Sequence, residues 1–209
     1  MTRTTREVFD DWARDHHADG MERHHRPRVE QALAGIPAQD GNYLEIGVGN
    51  GYAIRLMAEG PFAGGHCYGV DLSPHMAERC RARTRDLANV EILAADFLAW
   101  DPGPDLRFDL IFSMEVFYYF PDVQAGLEYA VSLLRPGGRL MVLVNYYREH
   151  TASHRWPEDL DTPMTLWSAS QYAAGFRGAG LVGIGQAFFR DPSAEETDPG
   201  TLATWGDRP

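Results

Sequence analysis

The chain has 209 residues, 44% of them hydrophobic, enough for one globular domain with a sizeable core. A formal net charge of -11 argues against nucleic acid as the main partner, because phosphate binding needs a basic surface. All 19 basic residues are Arg, which excludes the P-loop lysine, a lysine Schiff base and the Tyr-x-x-x-Lys pair of short-chain dehydrogenases.

No apolar run approaches the ~20 residues of a membrane span, and the start of the chain lacks the apolar stretch of a signal peptide. A cytoplasmic protein with no membrane partner is expected. Cys67 and Cys80 make neither a disulfide framework nor a metal site and read as free thiols.

Residues 5–36 read as two helices separated near Gly20, with Val8, Phe9, Trp12 and Ala13, then Val29, Leu33 and Ile36, at helical spacing. This helical cap is assigned residues 1–40. From residue 42 onward short apolar runs alternate with longer amphipathic ones, the pattern of βαβ units. The first strand, Tyr43–Ile46, leads into a glycine turn and a helix carrying Ile54, Leu56 and Met57. A second strand, His66–Val70, ends at Asp71, and Ser73-Pro74 then opens a helix with a side-chain cap and a proline at its first position. Val90–Ala94 is a third strand ending at Ala95-Asp96, and Phe108–Ser113 a fourth, apolar enough to be buried on both faces. A helix from Asp122 stops at Pro136-Gly137-Gly138, and Leu140–Val144 is the fifth strand.

Residues 145–166 have no clean period; three aromatics and two histidines mark them as a functional insert on the substrate side. Ser168 to Gln171 resembles a capping box, and Leu181–Arg190 reads as a closing pair of strands. The core is therefore assigned residues 42–190, and residues 191–209 read as a loosely held tail.

The stretch L-E-I-G-V-G-N-G-Y, residues 44–52, carries the first chemical signal. Glycines between a strand and a helix let a ligand approach the backbone closely. Dinucleotide turns read G-x-G-x-x-G, whereas here the spacing is G-x-G-x-G and Glu45 precedes it. A ligand with a positive end suits that carboxylate better than an anion does. Asp71 sits where an acid commonly takes the ribose hydroxyls of a nucleoside. Glu45, Asp71, Asp96 and Ser113 thus line up along the strand ends, where doubly wound sheets bind ligands.

On these residues the chain resembles the class I S-adenosylmethionine-dependent methyltransferases of small-molecule type. The stretches that carry the resemblance are L-E-I-G-V-G-N-G-Y, Y-G-V-D-L-S-P-H-M, A-A-D-F, F-D-L-I-F-S-M and L-L-R-P-G-G-R-L-M-V-L-V. It implies an α/β fold: a doubly wound, Rossmann-like sheet of seven strands, the last antiparallel, under the N-terminal helical cap. It implies S-adenosyl-L-methionine as cofactor and S-adenosyl-L-homocysteine as its product. By position it puts Glu45, Gly47, Gly49 and Gly51 at the methionine end, Asp71 at the ribose, Asp96 and the Phe97 backbone at adenine, and Ser113 and Met114 beside the methionine portion, with Leu72 a further cofactor-binding residue. The acceptor half is not implied by the family.

For the acceptor, the F-Y-Y-F run at 117–120 and Asn145-Tyr146-Tyr147 leave neighbouring strands on one rim, making Tyr118, Tyr119 and Tyr146 candidates for contact, or for ordinary packing. His150 and His154 in the insert are candidate bases. No metal is expected: Pro157 limits any helix holding both histidines, and no third ligand follows from spacing. His16-His17 and His24-His25 read as a polar face of the cap, and Trp12 as either a lid or core packing. The predicted activity is in-line methyl transfer to a small molecule, with a second copy of the chain as the other partner allowed. An NAD-dependent oxidoreductase and a cofactor-binding protein without turnover are the alternatives.

Overall fold

Thr4 opens the first helix: its hydroxyl accepts the Glu7 N–H at 3.3 Å while the Glu7 carboxylate accepts the Thr4 N–H at 2.8 Å, a reciprocal cap. The computed structural model describes residues 2–15, 17–191 and 198–209. Helix α1 is Thr5–Arg14 and α2 is His17–Leu33. The break between them falls after Arg14 and not near Gly20, which lies inside α2. A helical glycine costs only about 1 kcal/mol relative to alanine, and buried Val29 and Leu33 anchor α2 to the rest of the protein. His16 and the His17 side chain lie outside the described residues.

The seven strands are β1 (Asn42–Ile46), β2 (His66–Asp71), β3 (Val90–Ala94), β4 (Phe108–Met114), β5 (Leu134–Val144), β6 (Val182–Phe189) and β7 (Thr201–Asp207). They form one sheet in the order β3-β2-β1-β4-β5-β7-β6, parallel from β3 to β5, with β7 antiparallel to both its neighbours. The seven-stranded sheet with its antiparallel last strand matches the expectation. Its location in the chain does not. Residues 181–190 supply one strand instead of two, and its partner β7 comes from the segment expected to be a tail. Thr204 pairs with Val142 on one side and Gln186 on the other, and Leu202 and Ala203 are fully buried. Of that tail, residues 192–197 lie outside the described residues.

Helices α3 (Tyr52–Glu59), α4 (Pro74–Thr84), α5 (Val123–Leu133) and α7 (Ala169–Gly178) cover the sheet. Successive residues of the central strands point to opposite faces, so Leu44, Ile111 and Leu140 join one core with Leu127 and Phe176, while Tyr43, Phe112 and Met141 join another with Ile54 and Met57. The 145–166 insert holds a tight turn at Thr151–Arg155 and a short helix α6 (Trp156–Asp159). It returns against the F-Y-Y-F segment, where the Thr165 N–H donates to the Tyr118 carbonyl at 2.7 Å. Among the described residues no helix is long and apolar enough to cross a membrane. Strand order reverses between β1 and β4, and the crevice beyond their carboxyl ends is where such sheets take ligands.

Candidate functional site

At that crevice β1 runs into a turn whose glycines Gly47, Gly49 and Gly51 have φ of 77, 52 and 83°, conformations that side chains disfavour. The glycines serve different ends. A Cβ on Gly51 would stand 2.6 Å from Cys80 Sγ, so this residue lets α4 pack against the turn. A Cβ on Gly49 would meet nothing within 4 Å, and its N–H donates to Asp71 Oδ2 at 2.9 Å. The peptide at Gly49 therefore lies open to a cavity of about 600 Å³, which the glycine turn lines together with the ends of β2 and β4 and the two cap helices.

Acids surround this turn. Glu45 is buried and accepts the Tyr43 hydroxyl at 3.0 Å; burial pushes its carboxyl up to about 8, against the lowering effect of that bond, and the Asp71 charge adds to the rise. Asp71 accepts the Ser73 N–H at 2.9 Å as well as that of Gly49, yet burial still raises it to about 6. Ser73 in turn donates to Asp10 at 2.5 Å, tying α1 to the turn after β2. Asp96 sits exposed on the rim and caps the short turn at Phe97–Ala99 through the Leu98 N–H.

The cavity brings together Glu45, Gly47, Gly49, Asp71, Leu72, Asp96, Phe97 and Met114 of the expected cofactor residues. Two others stay behind its wall. Gly51 faces Cys80, and Ser113 is fully buried with its hydroxyl on the Ile46 carbonyl at 3.1 Å. The set fits a nucleoside with a cationic end: a bare peptide edge, a buried carboxyl at Glu45 whose ionised form a cation would stabilise, and two further acids spaced along the strand ends.

The acceptor-side residues separate more widely. Tyr119 lines the cavity and meets Phe9 edge-on at 5.3 Å, so Phe9, and not Trp12, is the cap aromatic that faces it. Trp12 packs on the other side of Phe9. Tyr146 is buried against Tyr118 and Trp156 and is not among the residues lining this cavity. His150 Nδ1 lies 2.6 Å from the Asn145 carbonyl and faces a second cavity of about 670 Å³, whereas His154 Nε2 lies 3.0 Å from the Arg148 carbonyl and lines neither. The insert thus borders the neighbouring space, and α1, α2 and the F-Y-Y-F segment close the first one. Met21 and His25 of α2 lie between the two cavities. His25 is no surface histidine: burial, then the charges of Arg28 and His24, lower it to about 4 and keep it neutral at pH 7.

Sequence reasoning also missed Glu115, which follows β4 with φ 61°, a left-handed conformation rare outside glycine. Its carboxylate accepts the Asn145 N–H at 2.5 Å and the Tyr118 hydroxyl at 3.0 Å, and burial raises it to about 7. The signal that could have found it is the one that found Glu45, Asp71 and Asp96: an acid at a strand's carboxyl end.

Comparison with known proteins gives the same picture. Residues 44–142 match the family model described as "Methyltransferase domain". A chain from a solved complex between the Haloferax volcanii Trm112 methyltransferase activator and a methyltransferase is 34% identical, with 100% of both chains covered and a TM-score of 0.87. The N-methyltransferase NodS of Bradyrhizobium japonicum, solved with S-adenosyl-L-homocysteine, shares the fold at a TM-score of 0.64 and 21% identity, covering 90% of this chain and 87% of that one. Among curated proteins, the trans-aconitate 2-methyltransferase of an Azoarcus species is 33% identical across 66% of this chain and 51% of its own length. The match spans only 31% to 56% of the length of tocopherol, aklanonic acid and ubiquinone-pathway methyltransferases. With a full-length relative at that identity, the match to the family model and the sheet order above, the chain belongs to the S-adenosylmethionine-dependent methyltransferases of class I.

Proposed function

We propose that this chain transfers a methyl group from S-adenosylmethionine to a small-molecule acceptor, with both held in the cavity at the carboxyl ends of β1, β2 and β4. The observation that carries the reading is the pairing of the open Gly49 peptide with Glu45 and Asp71 on one wall, facing the aromatic groups of Phe9 and Tyr119 across the same space. When bound, the cofactor supplies an electrophilic methyl on a cationic sulfur. The protein's own contribution is to bind, align and dry. Glu45 and the Gly47–Gly49 backbone hold the methionine end, Asp71 and Leu72 the sugar, and Asp96 and Phe97 the base. Phe9, Met21, Tyr119 and Phe120 enclose the remaining volume and keep water from the nucleophile.

A small acceptor is favoured because residues of both cap helices line the cavity beside the glycine turn. Tocopherol and ubiquinone-pathway methyltransferases among the relatives support the same class. The full-length likeness to a chain solved with the Trm112 activator supports a protein partner of that type, to be checked by co-purification. The deciding experiment is calorimetric titration with S-adenosylhomocysteine and with NADH, followed by incubation of labelled S-adenosylmethionine with pooled small molecules. Binding of the nucleoside and label transfer are expected; NADH binding in its place would overturn the reading, and cofactor binding without transfer to any acceptor would leave a binding protein.

A further inference from the structure

Five acids line the cavity: Glu22, Glu45, Asp71, Asp96 and Glu115. Four of them have partners or tasks that account for them. Glu22 is neutralised by Arg83 at 2.6 Å and Arg26 at 3.1 Å, Asp71 orders the glycine turn, Asp96 caps the turn after β3, and Glu45 stands beside the turn's own backbone. Glu115 is left over. Its hydrogen bonds come from the backbone N–H and side chain of Asn145 and from the Tyr118 hydroxyl, none of them cationic. The charge that acts on it most, Arg28, is committed to Asp198 at 2.7 Å. His25 on the same wall is neutral, and Arg6 lies exposed on the rim.

A carboxylate set in a cavity with no cation of its own repels an anionic acceptor and gains nothing from an apolar one. The same cavity is lined by Tyr119 and Phe120, with Phe9 edge-on to Tyr119 at 5.3 Å, surfaces that receive an apolar or aromatic body. Resting on the methyl-transfer reading, we propose that the acceptor is an amine with an apolar or aromatic body, and that Glu115 binds its ammonium and takes its proton. In the step so defined, an ammonium N–H proton passes to the Glu115 carboxylate. The freed nitrogen lone pair forms the N–C bond to the methyl carbon. The C–S bond breaks with its electron pair left on sulfur, giving a neutral thioether and an N-methylated ammonium, and Glu115 returns its proton to solvent. The φ of 61° fits this role, since strain of this kind gathers where a side chain must be aimed.

The test uses the full chain saturated with S-adenosylhomocysteine and three probes of one shape: phenethylamine, phenethyl alcohol and phenylacetate. Calorimetry is expected to show the amine binding about tenfold or more tightly than the alcohol, and the carboxylate most weakly. In Glu115→Gln the amine's advantage disappears while affinity for S-adenosylhomocysteine stays within about twofold, and Glu115→Asp recovers part of it. An alcohol or carboxylate that binds as well as the amine, or an amine preference that survives in Glu115→Gln, overturns the proposal. Failure of the protein to bind S-adenosylhomocysteine at all would instead strike the methyl-transfer reading beneath it.

Discussion

Two glycines two positions apart make opposite predictions. At Gly49 the backbone is strained for any side chain but space is free, so Gly49→Ala is expected to cost about 1–2 kcal/mol of stability and to weaken S-adenosylhomocysteine binding much more, because the new methyl enters the cavity. Gly51→Ala drives a methyl against Cys80 under α4 and should lower the melting temperature more than Gly49→Ala does. Thermal melts and calorimetry on the pair check this; equal losses of affinity and stability in both would dissolve the distinction. Asp71→Asn tests the neighbouring assignment, with an expected loss of roughly tenfold or more in cofactor affinity as its bonds to the turn amides and its ribose partner weaken. The sequence announced the glycines and strand-end acids because their spacing is local. It could not rank Gly51 against Gly49, since Cys80 becomes a neighbour only through packing; Glu115 carried the strand-end signal of the other acids, but its left-handed φ and its bonds to Asn145 and Tyr118 appear only in the fold.

Secondary elements were legible where hydrophobic period and turn chemistry agreed. Ser73-Pro74 caps α4 as expected, and the capping box at Ser168–Gln171 opens α7. The reading failed at β7, a short strand after a run of turn formers. Its place is fixed by pairing with β5 and β6 and not by its own composition. The role of α2 was likewise invisible, because it depends on one long-range cluster. Glu22 accepts Arg83 and the Asn50 amide at 2.7 Å, joining the cap helix to both α4 and the glycine turn. Glu22→Ala is expected to destabilise the cap by about 1–2 kcal/mol. Amide exchange should then quicken across α2 while β1 and β4 keep their protection, and S-adenosylhomocysteine should dissociate faster. Uniform loss of protection over the whole sheet would mean that the cap does not open on its own.

At the scale of the whole molecule, two buried carboxyls and the half-buried Glu115 around one cavity couple folding and binding to pH. Asp71 moves from 3.8 to about 6, Glu115 from 4.5 to about 7 and Glu45 from 4.5 to about 8, each raised chiefly by burial. Above its ordinary value and below its raised one, each group keeps a proton in the fold that the unfolded chain has lost. Stability of the free protein therefore falls as pH climbs from about 4 to about 8, and flattens beyond. A cation placed among these carboxyls stabilises their ionised forms, so binding one releases protons and tightens across the same window. S-adenosylmethionine carries a sulfonium that S-adenosylhomocysteine lacks, while both carry the amino group. The affinity ratio of the first to the second is expected to rise between pH 6 and 8, with net proton release visible as a dependence of the binding heat on buffer ionisation enthalpy. Glu45→Gln should remove the largest share of that rise, since Glu45 has the highest of the three values and lines the cavity just before the glycine turn. A ratio that stays flat with pH, or no protons released at pH 6.5, would show that these carboxyls do not feel the sulfur's charge and would move the methyl donor away from Glu45.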